Sequence, residues 1–579
     1  MVNIKINGAE YAVPEGSTIL EAARAAGIKI PTLCFLKEIN AIGACRICVV
    51  EVKGARSLVA ACVYPVNEGM EIFTNTPKVL ESRKTTLELI LSNHNKSCLS
   101  CTRGGNCELN ELCVEYDIDI HKFDGENPVP DIDYSAAHMY RDNSKCILCR
   151  RCVAACAKTQ GIGVIGANER GFATQIASAF DMDLADTACV SCGQCIAVCP
   201  TGALSEKDDT QKVLDAIADP TKTVVVQAAP AVRASLAEAF GNPIGTNAEG
   251  KMIAAMRRLG FDKAFDTNFS ADLTIMEEAT EFLGRVQNGG ALPLITSCSP
   301  GWVRYCENYF PEFIPNLSTC KSPQQMFGAI VKTYYAQKLG KNPEDIVSVS
   351  VMPCTAKKYE VARDGEAAAG VPDVDISITT RELAHLIKKA GIMFNDLPEE
   401  KCDSPLGGYT GAGVIFGATG GVMEAALRTA VWKLTGEAQD TPIEFSEVRG
   451  TEGIKEATYT VAGKEVKVAV VSGLANAKKL LRSIKSGEAN YDFVEIMACP
   501  GGCVNGGGQI IQPASVRNFV DIRAKRAEVL YNIDKNAPLR RSHENPEIKA
   551  LYEEFLGEPN SHKAHEILHT NYSAKQLYK

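Results

Sequence analysis

The chain has 579 residues, of which 45% are hydrophobic and 23% charged, and its formal net charge is -9. This length predicts roughly three to five domains of about 100 to 200 residues each. The acidic balance argues against nucleic acid as a partner, since nucleic-acid binders carry a basic field. The first residues lack the apolar core of a signal peptide, and no apolar stretch approaches the roughly 18 residues of a membrane span. We therefore expect a cytoplasmic protein with no membrane partner, and its 23 cysteines point to metal sites rather than disulfides.

The front of the chain predicts a small domain with four cysteines. Alternating apolar and polar residues at 2–8 and 10–13 predict a β-hairpin, and residues 17–26 predict a helix. The cysteines that follow are Cys34, Cys45, Cys48 and Cys62. The Cys45-x2-Cys48 pair and the distant fourth thiol suit a [2Fe–2S] cluster held by a loop over a small sheet, although the first gap is longer than the plant-type spacing. A zinc site is the alternative.

A second group of ligand-type residues combines one histidine with three thiols. Its members are His94, Cys98, Cys101 and Cys107. His94 alone would more often be a surface histidine, but the thiols downstream make it the fourth ligand of a [4Fe–4S] cluster. One imidazole among thiolates should raise the reduction potential of that cluster, because it removes negative charge. Residues 122–135 are rich in Pro and Asp and predict a linker.

Two runs of identical cysteine spacing follow, Cys-x2-Cys-x2-Cys-x3-Cys in each case. This spacing is typical of two-cluster ferredoxins, in which the fourth cysteine of each run ligates the other cluster. One [4Fe–4S] cluster is therefore assigned to Cys146, Cys149, Cys152 and Cys199. Its neighbour is assigned to Cys189, Cys192, Cys195 and Cys156. Disulfide pairing is a poor alternative, because neither run resembles a secreted framework.

Beyond about residue 210 the sequence changes to the pattern of parallel α/β units, with short apolar runs that alternate with helical stretches. Three of the predicted strands end on a cysteine motif. The motifs are Thr296-Ser-Cys-Ser-Pro-Gly-Trp, Met352-Pro-Cys-Thr-Ala-Lys-Lys and Met497-Ala-Cys-Pro-Gly-Gly-Cys. Because ligand sites of open α/β sheets lie off the carboxyl ends of the strands, these motifs should converge on one buried site. Its cysteines would be Cys298, Cys354, Cys499 and Cys503.

The glycines on both sides of Cys503 should permit close backbone approach to a bulky cluster. A phosphate-binding loop is the alternative. No Gly-Lys-Ser/Thr follows these glycines, so the sequence does not favour a phosphate.

The three strand-end motifs resemble the signatures of the [FeFe]-hydrogenases, and the order of cluster sites along the whole chain is similar to that of the large clostridial-type members. The resemblance implies reversible interconversion of protons, electrons and dihydrogen at an H-cluster. This cofactor is a [4Fe–4S] cubane joined by a cysteine thiolate to a two-iron unit that bears CO, cyanide and an azadithiolate bridge. The accessory cofactors implied are one [2Fe–2S] cluster and three [4Fe–4S] clusters.

The same resemblance implies a multidomain fold of the α+β and α/β classes. Its expected parts are a β-grasp [2Fe–2S] ferredoxin-like domain at 1–79, a helical His/Cys3 [4Fe–4S] domain with its linker at 80–135, a two-cluster ferredoxin-like domain at 136–210, a two-lobed α/β catalytic domain at 211–520 and a C-terminal helical wrap at 521–579.

Residue roles also follow from the resemblance. Cys354 and Cys499 match ligands of the cubane, and Cys503 matches the bridge to the two-iron unit. Lys357 matches a lysine that donates a hydrogen bond to a cyanide, which stabilises an anionic ligand in a dry pocket. The other matching pocket residues are Pro230, Ser322, Gln324, Met352, Phe416 and Met497.

One position departs from the family pattern. The first motif usually has two consecutive cysteines, of which the first relays protons and the second ligates the cubane, whereas here the pair is Cys298-Ser299. Serine is a harder and far less acidic ligand than cysteine. Either the oxygen of Ser299 binds iron, or Cys298 takes over as ligand, or the position has been altered. If Cys298 were a ligand, the proton route would lose its first member.

The remaining members of the proton route are present by resemblance. Residues 271–285 predict a helix with one buried apolar stripe, formed by Met276, Ala279 and Leu283. Glu278 and Glu281 are three residues apart and share a face of this helix. The implied relay is Cys298, Glu278, Ser318, Glu281 and Arg285. Each member must accept and donate a proton within hydrogen-bond reach. A solvated acidic helix face is the alternative.

Four physiological roles stay open from the sequence. The segments that begin at Cys156 and Ala185 are similar to catalytic subunits of NAD(P)-linked hydrogenase complexes, some of which bifurcate electrons between ferredoxin and NAD. Partner subunits that bind flavin and NAD are then expected, because no Gly-x-Gly-x-x-Gly follows a strand in this chain. The alternatives are a monomeric ferredoxin-dependent hydrogenase, a non-catalytic iron–sulfur electron-transfer or assembly relative without the diiron unit, and a hydrogen sensor, for which no sensory domain follows.

Overall fold

The structure is a computed structural model that describes residues 1–123, 125–127, 130–436, 444–450, 452–461 and 464–578. Residues 124, 128 and 129 of the predicted linker lie outside the described residues. Among the described helices, none combines the length and the apolar character that a membrane crossing needs.

The first domain is a mixed five-stranded sheet with one helix. Its strands are β1 (Val2–Ile6), β2 (Ala9–Val13), β3 (Val49–Val52), β4 (Val59–Ala60) and β5 (Glu71–Phe73), in the spatial order β2-β1-β5-β3-β4. The predicted hairpin is confirmed, because β1 and β2 pair antiparallel. Helix α1 (Ile19–Ala25) begins later than predicted, since Thr18 caps it in a capping box with Glu21.

Two cluster-bearing segments follow with little regular structure. Their helices are α2 (Pro77–Ser92), α3 (Glu108–Glu115), α4 (Arg151–Ala154) and α5 (Gln194–Val198). Their strands are β6 (Met139–Arg141), β7 (Gly166–Asn168), β8 (Gln175–Ala177) and β9 (Leu204–Glu206), which form two antiparallel pairs, β6 with β9 and β7 with β8. Leu33 and Ile47 of the first domain share one apolar core with Leu87 and Leu109. The first domain is therefore packed directly against α2 and α3.

The next part of the chain contains two four-stranded sheets. Its strands are β10 (Thr223–Ala228), β11 (Lys263–Asp266), β12 (Leu294–Ile295), β13 (Ile346–Met352), β14 (Ile376–Thr379), β15 (Ile454–Val461), β16 (Lys464–Ser472) and β17 (Phe493–Met497). The spatial orders are β11-β10-β13-β14 and β12-β17-β16-β15. Every pairing is parallel except that of β15 with β16. The predicted α/β pattern therefore holds, with one antiparallel edge strand.

Helices surround these sheets and extend to the C-terminal part of the chain. They are α6 (Thr210–Ala218), α7 (Glu249–Leu259), α8 (Asn268–Asn288), α9 (Pro300–Tyr309), α10 (Pro323–Ile330), α11 (Ala336–Leu339), α12 (Ala356–Glu360), α13 (Thr380–Lys389), α14 (Gly411–Ile415), α15 (Gly421–Thr435), α16 (Leu474–Ser486), α17 (Ala514–Arg517), α18 (Ile522–Asn536), α19 (Pro546–Leu551) and α20 (His562–Leu568). Leu551 and Leu568 share a core with Phe265 and Phe269, so α19 and α20 pack on the first of the two sheets.

Helix α8 differs from its predicted form, because it buries most of its surface instead of one stripe. Phe269 and Leu273 belong to one apolar core, whereas Ile275 and Phe282 belong to another. Of the predicted stripe, Ala279 is buried, but Met276 and Leu283 are only half-buried. A helix between two cores is covered on most sides, so a single amphipathic stripe was the wrong pattern to expect.

Candidate cluster sites and active site

The four cysteines of the first domain lie together as two pairs. The side chain of Cys34 interacts with that of Cys45, and the side chain of Cys48 interacts with that of Cys62. The backbone N–H groups of Cys34 and Cys45 each donate to the sulfur of the other residue, at 3.4 and 3.5 Å. A two-iron cluster needs two thiolates on each iron, and this pairing supplies them.

The histidine of the second group lies just beyond the end of α2. Burial lowers the pKa of His94 to about 4, and its Nδ1 atom is buried without a hydrogen-bond partner in the described structure. A neutral imidazole with a free ring nitrogen is the form that binds metal. Cys98 and Cys101 lie on the turn that follows, and Cys107 precedes α3. A Cβ atom added at Gly202 would meet the sulfur of Cys101 at 2.4 Å, so this site adjoins the two-cluster domain.

Two cavities bring the eight cysteines of the two-cluster domain together in the predicted sets. One cavity is lined by Cys146, Cys149, Cys152 and Cys199. The other is lined by Cys156, Cys189, Cys192 and Cys195. In both, the fourth cysteine of one run has crossed to the other run. Burial raises the pKa of Cys146 and Cys149 to about 12 and that of Cys189 to about 11. Thiolates in such dry sites need a neighbouring cation, and cluster iron supplies it.

A larger cavity lies where strands of both sheets end. Its volume is about 80 Å³, and residues that follow β10, β12, β13 and β17 form part of its wall. The predicted site residues that line it are Pro230, Cys298, Ser299, Gln324, Met352, Cys354, Lys357, Phe416, Met497, Cys499 and Cys503. The strand-end cysteines therefore converge, as the sheet topology predicts.

The donor set of this cavity fits an iron–sulfur cubane. Burial raises the pKa of Cys503 to about 12, and it raises the pKa of Cys354 and Cys499 as well. These three thiols become thiolates only beside a strong cation. Pro230 and Phe416 contribute apolar wall, which keeps such a site dry.

Cys298 and Ser299 face different partners within the cavity. The hydroxyl oxygen of Ser299 accepts a hydrogen bond from the N–H of Ala498 at 3.2 Å, next to Cys499. It caps no N–H group of α9, although Ser299 immediately precedes that helix. The thiol of Cys298 lies within electrostatic reach of Glu278, the first carboxyl of the relay, and burial raises the pKa of this thiol. The serine therefore lies on the side of the cubane loop, and the cysteine on the side of the relay.

The cavity lysine is held by a carboxylate that sequence reasoning missed. Lys357 Nζ donates to Glu360 Oε2 at 2.8 Å and lies 3.4 Å from the carbonyl oxygen of Cys298. Ser322 Oγ and Gln324 Nε2 donate to the same oxygen of Glu360, at 2.8 and 2.9 Å. Ser322 is not among the residues that line the cavity, and its expected place near the diiron unit stays a prediction. The spacing of three residues between Lys357 and Glu360 on one helix is the signal that could have found this carboxylate.

The relay residues form a connected set behind Cys298. Ser318 Oγ donates to Glu281 Oε2 at 2.8 Å and also interacts with the carboxyl of Glu278. Arg285 Nη2 donates to Glu281 Oε1 at 2.6 Å. Burial raises the pKa of Glu278 to about 8, with Glu281 adding to the effect, and Glu278 Oε2 has no hydrogen-bond partner in the described part of the chain. Glu278 is 1% exposed, so the solvated-face alternative is wrong.

Two further groups near this route were missed. The sulfur of Cys320 lies 3.8 Å from Glu281 Oε2. The buried carboxylate of Glu495 accepts hydrogen bonds from the N–H groups of Gly420 and Met423, both at 2.7 Å, and lies within electrostatic reach of Cys298. Neither belongs to a motif, so only the fold identifies them.

Glycines let the two-cluster domain touch the cavity. A Cβ atom added at Gly507 would meet the carbonyl oxygen of Cys192 at 2.4 Å, and one added at Gly506 would meet that of Pro353 at 2.1 Å. These two glycines therefore accommodate neighbouring backbone, and the expected approach of this segment to a cluster stays a prediction. Cys192 lines both the second thiol cavity and the large cavity. The two sites are in direct contact through this residue.

Family models match five segments of the chain. They are a 2Fe-2S iron–sulfur cluster binding domain at 1–77, the NADH-ubiquinone oxidoreductase-G iron–sulfur binding region at 83–121, a 4Fe-4S dicluster domain at 145–203, the C-terminal domain of the iron-only hydrogenase large subunit at 222–507 and the iron hydrogenase small subunit at 520–575.

Whole-chain comparisons agree with these matches. The chain is 50% identical to the NADP-reducing hydrogenase subunit HndD of Solidesulfovibrio fructosivorans, over 100% of this chain and 99% of that protein. It is 45% identical to iron hydrogenase 1 of Clostridium pasteurianum, over 99% of this chain and 100% of that protein. A solved [FeFe]-hydrogenase structure from Chlamydomonas reinhardtii is 45% identical with a TM-score of 0.57, over 63% of this chain and 99% of that one. The chain therefore belongs to the [FeFe]-hydrogenase family and carries its H-cluster domain behind [2Fe–2S] and [4Fe–4S] domains.

Proposed function

We propose that this chain is the catalytic subunit of a hydrogenase that interconverts dihydrogen with protons and electrons, within an NAD(H)- and ferredoxin-linked, electron-bifurcating complex. One observation carries the proposal: one cavity is lined by Cys354, Cys499, Cys503 and Lys357, and it shares Cys192 with a thiol cavity of the two-cluster domain. When bound, the H-cluster supplies the iron centre at which dihydrogen is formed or split.

The residues of the cavity have distinct roles in this proposal. Cys354, Cys499 and Cys503 hold the cubane, and either Ser299 or Cys298 completes its ligand set. Lys357 presents an ammonium group to an anionic ligand, where low polarity strengthens the hydrogen bond.

Protons travel between the cavity and the surface through groups that can both accept and donate. Cys298 exchanges a proton with Glu278, and Ser318 connects Glu278 to Glu281. Arg285 marks the outer end, since its side chain is 14% exposed. The orphaned oxygen of Glu278 is consistent with a carboxyl that holds a proton in transit.

Electrons enter through four accessory clusters in this proposal, one [2Fe–2S] and three [4Fe–4S]. The Cys45 and Cys107 side chains pack on the same apolar core, which supports transfer from the first domain to the His94 site. Electrons then pass into the two-cluster domain where Gly202 contacts Cys101, and they reach the large cavity at Cys192, which lines it.

Partner subunits are expected because the relative HndD is named as a subunit of an NADP-reducing hydrogenase. We infer flavin- and NAD-binding partners, ferredoxin as a second electron carrier, and a cytoplasmic location. A monomeric ferredoxin-dependent enzyme is the alternative setting. Purification of the chain from its host, with identification of the proteins that co-elute, decides between the two.

The infrared spectrum of the matured protein tests the catalytic proposal. Bands of metal-bound CO and cyanide are expected, because the family's diiron unit carries both ligands. A protein that holds its accessory clusters but shows neither band would be a non-catalytic electron-transfer or assembly relative.

A further inference from the structure

Glu360 holds three predicted pocket residues with one oxygen atom. Its Oε2 accepts hydrogen bonds from Lys357, Ser322 and Gln324, at 2.8 to 2.9 Å. The side chains of Lys357 and Glu360 are only 10% and 6% exposed. Hydrogen bonds to a charged group in such a site are roughly twice as strong as neutral ones.

The lysine depends on this carboxylate for its orientation. Its flexible four-carbon stem can place the ammonium group in many positions. Among the contacts of the described structure, Glu360 is its charged partner at hydrogen-bond distance, and the carbonyl oxygen of Cys298 is a longer contact at 3.4 Å. Without the carboxylate, the ammonium group would lose the contact that directs it along the cavity wall.

The backbone contacts of Glu360 do not depend on its side chain. The local backbone contacts use its carbonyl oxygen, which accepts from Gln325 Nε2 at 3.2 Å and from the N–H of Arg363 at 3.0 Å. Both contacts survive a change of side chain. The carboxylate is thus directed at Lys357 of the same helix and at Ser322 and Gln324 at the start of α10.

We propose that Glu360 is a positioning residue for the diiron pocket: its carboxylate fixes Lys357, Ser322 and Gln324 in the arrangement that receives the anionic diatomic ligands. The inference rests on the proposed function, since it assumes that a diiron unit occupies the cavity. It assigns no contact between Glu360 and the cofactor.

The chain offers a matched control one residue along the same helix. Lys358 Nζ pairs with Glu382 Oε1 at 2.9 Å, and these side chains are 3% and 5% exposed. This pair does not line the cavity. Glu382 also forms a capping box with Thr379, and glutamine retains that motif. Glu382→Gln therefore removes one buried carboxylate partner of a lysine outside the pocket, while Asp209 continues to pair with that lysine.

The experiment uses the full chain with its iron–sulfur clusters reconstituted, loaded with a synthetic diiron azadithiolate complex that carries CO and cyanide. The readouts are the cyanide infrared bands and the fraction of chain loaded at a series of complex concentrations. Glu360→Gln should displace the cyanide bands, and the apparent affinity for the complex should fall about tenfold, the scale of one lost hydrogen bond to a charged group. Glu382→Gln should match the parent in both readouts.

A double-mutant cycle separates positioning from general disruption. If Glu360 acts through Lys357, adding Glu360→Gln to Lys357→Met should displace the bands little further, because the interaction is already gone. Glu360→Asp keeps the charge and should displace the cyanide bands by an intermediate amount. If Glu360→Gln does not fold, the band positions of Glu360→Asp test the inference instead. The inference would be overturned if folded Glu360 variants showed the cyanide bands of the parent. It would also be overturned if the band displacements of Glu360→Gln and Lys357→Met simply added in the double mutant. A parent that loads no diiron complex would overturn the proposed function together with it.

Discussion

Glu281→Gln isolates proton transfer from the other requirements of turnover. The amide keeps the shape of the carboxylate and can still accept from Ser318 Oγ, which lies 2.8 Å from Oε2 in the parent. It cannot take up and release a proton near neutral pH. General acid–base groups contribute about 10²–10⁴ in rate, so hydrogen turnover should fall at least about a hundredfold. That loss corresponds to about 2.7 kcal/mol of activation free energy.

The fold should tolerate this change. Arg285 loses a carboxylate partner but keeps backbone carbonyl acceptors at 2.7 to 3.3 Å, on Ala291, Pro315, Asn316 and Leu317. Both side chains of the ion pair are mostly buried, at 14% and 10% exposure. The four carbonyl acceptors, and the amide oxygen that glutamine still offers, keep the guanidinium group hydrogen-bonded after the change. Cluster content should therefore equal that of the parent.

The assay is hydrogen evolution with a chemically reduced viologen dye, alongside iron content and the CO and cyanide infrared bands. Glu400→Gln is a suitable control, because Glu400 pairs with Arg257 at 2.6 Å and lines a different cleft. The control should retain parental turnover. Near-parental turnover of Glu281→Gln at full cluster content would refute the relay.

Ser299→Cys should retain activity and keep more iron bound after mild chelation, because thiolate binds iron more softly than alkoxide. If this variant lost the cluster while the parent kept it, the ligand position would be misassigned. Cys298→Ser should lower turnover sharply, whichever of its two roles it has. The isolated chain should evolve hydrogen with an artificial reductant but not with NADH, and robust NADH-driven activity would contradict the need for partner subunits. His94→Cys should lower the reduction potential of its cluster, because a thiolate adds negative charge; an unchanged midpoint in a redox titration followed by electron paramagnetic resonance would count against ligation by His94.

Spacing predicted the thiol groupings well, because cluster ligation is a local constraint on sequence. The crossing of Cys156 and Cys199 between two cavities follows from the repeat alone. The strand-end motifs likewise predicted one convergent cavity, since parallel topology brings the carboxyl ends of strands to one edge.

Contacts that depend on tertiary packing could not be predicted in this way. The buried position of Glu278 in α8 arises because the helix lies between two cores, whereas its sequence resembles an amphipathic surface helix. Glu495 approaches Cys298 only through the packing of β17 beside α15. Ser322 illustrates a different limit, since family resemblance placed it near the pocket but could not reveal its hydrogen bond to Glu360.

In the proposed function, protons and electrons reach the cavity through separate parts of the fold, and this separation would explain why those parts differ in composition. Helix α8 carries the acidic groups on one side, while Cys192 and the glycines near Cys503 bring the two-cluster domain to the other side. A proton route needs titratable groups within hydrogen-bond reach, so its members are buried but polar. An electron route needs only closely spaced centres, so glycines that admit close backbone contact serve it. A substitution of an acidic residue on α8 should thus change proton delivery without changing cluster potentials. A bulky residue at Gly507 should separate Cys192 from the cavity, and it should change cluster potentials without changing proton delivery.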